Sequence, residues 1–465
     1  MFSQLKMRIR YSLTAALALL GAFSLPGAAM ASISGSRSAD PIVVSGARVT
    51  ALLGSSPQRL LAYRYEGRRL RQVPLQVDER KLFDVGNAYQ PALPSGEQTL
   101  VYADPSMSAG ADGDPRFDSN DEIALLGSSV GGRAPGKVAL PGALRGRPHQ
   151  WLKVRDPIGG AIGYVLLGEA RPGMKVDQAA GSHPLKYRFA LASGQPYSSY
   201  RRAQGPNPES SSLTTPFYSL GFVDRWMKDR LTVRAKDARG VDILDMHKSM
   251  ISARSCGRSE RTFSDGEGAF LTNRVGPVRA IRDFIGANSG PFTERRELMY
   301  PAREDVETFL RVHAIGTVVD FLDYSAAASG MTYRDSLNTA GVRVDGTPDR
   351  LAPGLPAWSQ VTGAQGTVTV SYSHATDIAG LPMTGFYVDS LQPTEPQCTG
   401  DSASYGASGV AVTAGMTTTD PRQGGYSHFS TAWRIYFGGR SGGGPEKAAS
   451  LDRRARQPLQ PSASR

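Results

Sequence analysis

The sequence predicts an all-β protein built from two β-sandwich-type domains. Three observations lead there. Glycine and proline are abundant, at 52 and 31 of 465 residues, and these are the residues that tight turns demand. Short alternating or continuous apolar runs recur between the turns, among them PIVVSGARVTALL, RLLAYRYEG, HQWLKVRD, GYVLLGEA and TAWRIYF. Sustained helical spacing is scarce, and no fixed-period repeat argues for a solenoid or propeller.

The chain opens with Lys6, Arg8 and Arg10, an apolar run from Leu13 to Leu25, and Ala29-Met30-Ala31 before Ser32. This is the order of a secretory signal peptide over residues 1–31. The apolar run is shorter than the roughly 20 residues a spanning helix needs, and no later run is long enough to cross. Export to the periplasm or beyond is expected, with no membrane span after cleavage; an uncleaved anchor is the alternative. A first β-rich domain is placed at 32–180, ending in the polar stretch RPGMKVDQAAGSHP, and a larger one at 181–438. Within the latter, Arg201–Ser212 reads as an exposed loop and Thr215–Lys228 as one helix. Residues 439–465, rich in Gly, Ser, Pro and Arg, read as a disordered basic tail.

Charge excludes some partners. Of the formal +11, three charges are the leader's Lys6, Arg8 and Arg10. Four more are the excess of six cations over two anions in Arg440–Arg465, which leaves the body near +4. A body of that balance is no nucleic-acid binder.

Two segments carry the chemistry-bearing residues. VRAIRDFI and ERRELMY flank a GANSGP turn and predict a hairpin, its arginines matched by nearby acids. The strand EDVETFLRVHA, Glu304–Ala314, sets Val306, Thr308, Leu310, Val312 and Ala314 on one face. Asp305, Glu307, Phe309, Arg311 and His313 fall on the other. The second face offers a carboxylate, an aromatic ring, a guanidinium and an imidazole in a row; cross-strand ion pairing on an outer face is the plainer alternative.

The stretch DGDPRFDSNDE gathers Asp112, Asp114, Asp118, Asp121 and Glu122 with Asn120. Dense carboxylates suit a hard cation such as calcium, although Arg116 breaks the EF-hand spacing and Asp and Asn also form turns unaided. The two cysteines, Cys256 and Cys398, are expected to form a disulfide after export, separate thiols being the alternative. No nucleophile elbow, Walker loop, dinucleotide fingerprint or paired-histidine metal motif occurs.

QVDER (Gln76–Arg80) and FDSNDEIALL (Phe117–Leu126) resemble a pattern in secreted bacterial proteins of unassigned function. VGPVRAIRDFIG (Val275–Gly286), REDVETFLRVH (Arg303–His313) and WSQVTGAQGTVTV (Trp358–Val370) are similar to the galactose-mutarotase-like supersandwich domains of carbohydrate-active proteins. The resemblance implies a supersandwich for the larger domain and a glycan or polysaccharide as partner. For a lyase, Tyr300 and His313 would carry protons, Arg311 or Arg282 would neutralise a uronate, and Asn288 would bind its carboxylate. For a hydrolase, Glu307 would be one of two carboxylates. The alternative is a non-catalytic surface or envelope module whose acidic loop is stabilised by calcium.

Overall fold

The computed structural model describes residues 33–89, 96–197, 206–251, 255–287, 290–312, 315–393, 396–416 and 427–464; the leader lies outside them. Its centre is a nine-stranded antiparallel sheet. Along that sheet run Ala269–Val275, Ala280–Ala287, Gly290–Met299, Arg303–Val312, Ser427–Gly438, Gly366–Thr376, Trp358–Gly363, Thr332–Asp335 and Val342–Arg343. The predicted hairpin is there: Ala280–Ala287 pairs with Gly290–Met299.

Two four-stranded sheets cover one face of the nine. One contains Tyr218–Asp224 and Met227–Val233; the other runs Leu244–Ile251, Val318–Tyr324, Ser404–Val412 and Met383–Ser390. The core between the layers joins Tyr218, Leu220 and Leu231 to Val306, Val370, Trp433 and Val410. Alternation is the cause. On Arg303–Val312, residues 304, 306, 308 and 310 are buried on the inner side, while on the other side Glu307 and Phe309 are half-buried and Arg303, Asp305 and Arg311 are covered through ion pairs.

The N-terminal residues form a second sandwich. A three-stranded sheet, with Pro41–Ser45 and Glu122–Leu126, packs on a five-stranded one that includes His149–Arg155 and Ile162–Glu169. Ile42, Val44, Ile123, Leu152, Val154 and Val165 form their core. This unit sits on the other face of the nine-stranded sheet. Val278, Ile281 and Leu298 pack there against Tyr102 and Ala124. Arg279 is fully buried and donates to Asp78 Oδ2 from Nε (2.9 Å) and Nη2 (2.7 Å), and to Glu122 Oε2 (2.7 Å). Gln76 Oε1 accepts from the Val278 and Arg279 amides.

Three expectations are corrected. Thr215–Lys228 is no helix; it forms the strand Tyr218–Asp224 and the start of Met227–Val233. Tyr218, Leu220 and Phe222 recur every second residue and bury one face, which is strand periodicity. The described part of Arg201–Ser212 is not simply exposed, because Asn207 and Glu209 are buried. The tail is ordered through residue 464. Pro445–Arg456 is a helix with Pro at its start, Glu446 in the first turn and Arg453, Arg454 and Arg456 in the last, an arrangement matched to the helix dipole. It docks through Asp452 on Ser371 (2.6 Å). Gln460–Ser464 then adds an edge strand to His149–Arg155 of the first sandwich, and Arg37 reaches the Arg454 and Gln457 carbonyls.

Leu459 is buried in the core of the first sandwich. Leu459→Ala is expected to destabilise that sandwich by about 2–5 kcal/mol, read as a lowered urea midpoint; an unchanged midpoint would mean that the C-terminal strand contributes no packing.

Candidate functional site

The outer face of Arg303–Val312 carries Asp305, Glu307, Phe309 and Arg311 of the expected row, and their charges are paired. Glu307 accepts from Arg434 (2.8 Å). Arg311 lies 3.2 Å from Glu294 and 3.4 Å from Glu97, and the Arg296 guanidinium sits over the Phe309 ring at 5.5 Å. The neighbouring strand sets His428 directly opposite Arg311. That imidazole is 57% exposed and stands 3.4 Å from both Glu97 and Asp377.

The other expected groups lie elsewhere. Tyr300 is buried, its hydroxyl accepting from Arg279 at 3.2 Å. The Tyr300 amide bonds the Arg303 carbonyl, and Arg311 is eight residues further along that strand, roughly 26 Å at the usual rise of about 3.3 Å. The two do not meet. Arg282 is fully buried, with both terminal nitrogens on Glu209 (3.0 and 2.6 Å) and the rings of Phe222, Phe270 and Phe284 around it. Asn288 and His313 lie outside the described residues.

Most oxygens of the acidic stretch are taken up by turn amides and neighbouring side chains, while Asp112 Oδ2 and Asn120 Oδ1 are buried with no partner among the described residues. Asp118 Oδ1 accepts from the Asn120 and Asp121 amides. Asp121 accepts from the Arg80 and Asp118 amides, and Glu122 binds Arg80, Arg279 and Tyr102. Asp112 and Asp114 serve as turn acceptors. Among the described residues, no group of three or more metal-capable side chains gathers. Cys256 and Cys398 form the expected disulfide.

A concavity that the sequence did not indicate lies on the inner face. It opens between the nine-stranded sheet and the sheet of Leu244–Ile251, over the inner face. A hollow of about 390 Å³ is lined by Tyr372, Ser373, His374, Thr431, Trp433 and Arg456, with Leu355, Pro356, Met383 and Val410 on its apolar side. Gly366–Thr376 and Ser427–Gly438 supply the floor: Tyr372 opposes Trp433 and His374 opposes Thr431 in register. Arg456 arrives from the C-terminal helix, fixed by Asp452 (3.0 Å) and the Tyr372 carbonyl (2.9 Å). Trp433 is 1% exposed, and its indole N–H has no hydrogen-bond partner. Burial of such a donor without an acceptor is costly.

Behind the hollow, sharing Met383, Val410 and Thr431 with it, is a void of about 30 Å³ bordered by Ser249, Arg295 and Asp320. It has room for a water and not for a ring. Arg295 Nη2 lies 3.0 Å from each Asp320 oxygen, and its Nε donates to Thr308 (3.0 Å). Ser249 Oγ donates to Asp320 (2.5 Å), and His247 Nε2 lies 3.1 Å from the same oxygen. Burial opposes the Asp320 charge, but Arg295, His247 and Ser249 outweigh it and hold the carboxyl well below the usual range. Burial, reinforced by Arg295, pushes His247 down to about 4. This is no nucleophilic triad. The serine proton points at a carboxylate too acidic to take it, and the imidazole bonds that carboxylate. The sequence signal was only the alternation of His247, Ser249 and Ile251; their partner, 71 residues from Ser249, carried no local mark.

No family model and no curated protein sequence matches the chain. Solved structures similar to it include HI1317, at 5% identity over 49% of this chain and 92% of that one, with a TM-score of 0.30. Another is a heparan sulfate lyase HepC mutant from Pedobacter heparinus, at 6% identity over 58% of this chain and 38% of that one, with a TM-score of 0.29. A third is YeaD of Salmonella typhimurium, crystallised as a candidate mutarotase, at 11% identity over 49% and 91%, with a TM-score of 0.28. Scores this low leave the site to be argued from its own residues.

His247 gives a pH test. In the unfolded chain it protonates near pH 6.5; in the fold it stays neutral down to about 4. The unfolded state therefore binds the extra proton in that window, and stability is lost as pH falls through it. Wild type is expected to lose stability relative to His247→Asn between pH 6.5 and 4, on the order of a few kcal/mol, measured by urea unfolding across pH. Parallel curves would refute it.

Proposed function

We propose that the chain is an exported saccharide-binding protein whose ligand occupies the 390 Å³ hollow of the inner face. The observation that carries this is a hollow the size of a small-molecule site whose lining sets Thr431, His374 and Arg456 beside the apolar Met383, Val410 and Pro356. Met383, Val410 and Pro356 suit the C–H face of a pyranose, while Thr431, His374 and Ser373 suit its hydroxyls. The sequence resemblance to supersandwich domains points the same way.

Binding without hydrolysis is the favoured form. No Asp or Glu is among the described residues lining the hollow, and glycoside hydrolysis ordinarily uses two carboxylates flanking the bond. A catalytic second reading rests on the outer face. There Glu307 and Arg311, joined by His428 and Glu97, offer a carboxylate, a guanidinium and an exposed imidazole. In that reading Tyr300 and Arg282, both buried, support the sheet rather than touch ligand.

The test is a panel of neutral and uronate oligosaccharides, scored for binding by calorimetry and for reducing ends and unsaturated products. One saccharide class is expected to bind without turnover, and Thr431→Val and His374→Ala are each expected to weaken it about tenfold, equivalent to about 1.4 kcal/mol. Silence across the panel would sink the reading. Turnover abolished by Glu307→Gln and untouched by His374→Ala would move the site to the outer face, and binding lost on adding a chelator would favour the calcium-stabilised module.

A further inference from the structure

A second concavity lies on the N-terminal sandwich, on the outer side of its five-stranded sheet. It measures about 480 Å³ and is lined by Trp151, Tyr164, His149, Arg133 and Ser464, among others. We propose that this groove binds an acidic saccharide, as a site separate from the hollow above.

The sheet puts the aromatic groups there. Trp151 stands opposite Leu166, and Lys153 opposite Tyr164. Trp151 and Tyr164 are thus diagonal neighbours on one face, within reach of a common ligand. Trp151 packs against the cluster of Leu61, Tyr63, Leu144 and Leu166, which fixes the ring while leaving it half-exposed to the groove. The wall opposite is held at its root. Gly131 exchanges both backbone hydrogen bonds with Tyr164, Gly132 bonds the Tyr65 carbonyl, and Val138 closes a turn onto Pro135. The groove therefore needs no ordering of its wall when a ligand arrives, which lowers the cost of binding.

Neither the Trp151 indole N–H, the Tyr164 hydroxyl nor the Arg133 guanidinium has a hydrogen bond to another described residue. His149 Nδ1 lies 2.9 Å from the Arg147 carbonyl, which requires Nδ1 to carry the proton and leaves Nε2 as an acceptor in the neutral ring. Three donors, one acceptor and a flat aromatic surface complement a pyranose. The sign of its charge follows from the lining. Arg133 is there, no Asp or Glu is among the described residues lining it, and Lys153 stands beside Tyr164 on the same face. A guanidinium with no hydrogen-bond partner among the described residues suits a carboxylate.

Tetragalacturonate titrated calorimetrically into the full mature chain tests this, with cellotetraose as the neutral comparator. Wild type is expected to bind the acidic tetramer at least tenfold more tightly than the neutral one. Arg133→Ala, at an exposed position where folding is not at stake, is expected to weaken it at least tenfold, and Trp151→Ala to abolish it. Thr431→Val, in the hollow, is expected to leave it unchanged. No binding of the acidic tetramer, equal affinity for both tetramers, or binding insensitive to Arg133→Ala would overturn the groove, whatever the hollow does with its own ligands. Binding lost with Thr431→Val and kept with Trp151→Ala would assign the tetramer to the hollow and overturn the groove equally.

Discussion

The constraint behind this structure is that a charge removed from water must be answered at once by an opposite charge or by oriented dipoles. The nine-stranded sheet carries ionisable groups on both faces, and both faces are covered. Arg279 is met by Asp78 and Glu122 across the contact between the sandwiches. Lys228 is met by Glu304 (2.5 Å) and Glu297 (3.2 Å) within the layers, and Arg295 by Asp320. Each pair joins separate segments of the chain, so each fixes a relative position that hydrophobic contact alone would leave loose. Removing one partner of such a pair strands the other charge, at a cost of about 3–5 kcal/mol. Two carboxylates also share Lys228, and burial together with Glu297 raises Glu304 to about 7 even against the pull of Lys228.

The same rule separates structure from candidate chemistry. Where guanidinium, carboxylate and hydroxyl close on one another, as Arg295, Asp320 and Ser249 do, nothing is left over for a ligand. The two concavities differ in that respect. One sets Thr431 and His374 beside an apolar wall, and in the other no hydrogen bond joins the polar ends of an arginine, a tyrosine and a tryptophan to another described residue.

Much of the fold was legible because strand periodicity is local. Val306, Thr308 and Leu310 are spaced two apart, and they are buried together. Trp433 announced a core position by alternating with Ile435 and Phe437, and all three are buried. Polar pairing was less legible, because its two halves lie far apart in the chain. Glu209 reads as part of an exposed loop until Arg282, 73 residues later, claims it. The C-terminal helix had its own signals, with Pro445 and Glu446 at the start and arginines at the end, but the Gly- and Pro-rich flanks masked them. Of the expected row, Asp305, Glu307, Phe309 and Arg311 are spaced two apart on one strand, and His313 lies outside the described residues. The distance separating Tyr300 from Arg311 was invisible, because which end of a strand a residue occupies emerges only once its neighbours are placed.

The edge strand Gln460–Ser464 closes the first sandwich with residues about 300 positions away from those it pairs with, Ser464 lying opposite Trp151. Synthesis proceeds from the N-terminus, and domains ordinarily fold as they emerge. Here the five-stranded sheet must wait, one margin bare, until residues 460–464 have been made. A bare margin of that kind invites pairing with foreign strands, so the interval between the emergence of His149–Arg155 and the arrival of residues 460–464 is the period when a nascent copy is most open to misassembly with its neighbours.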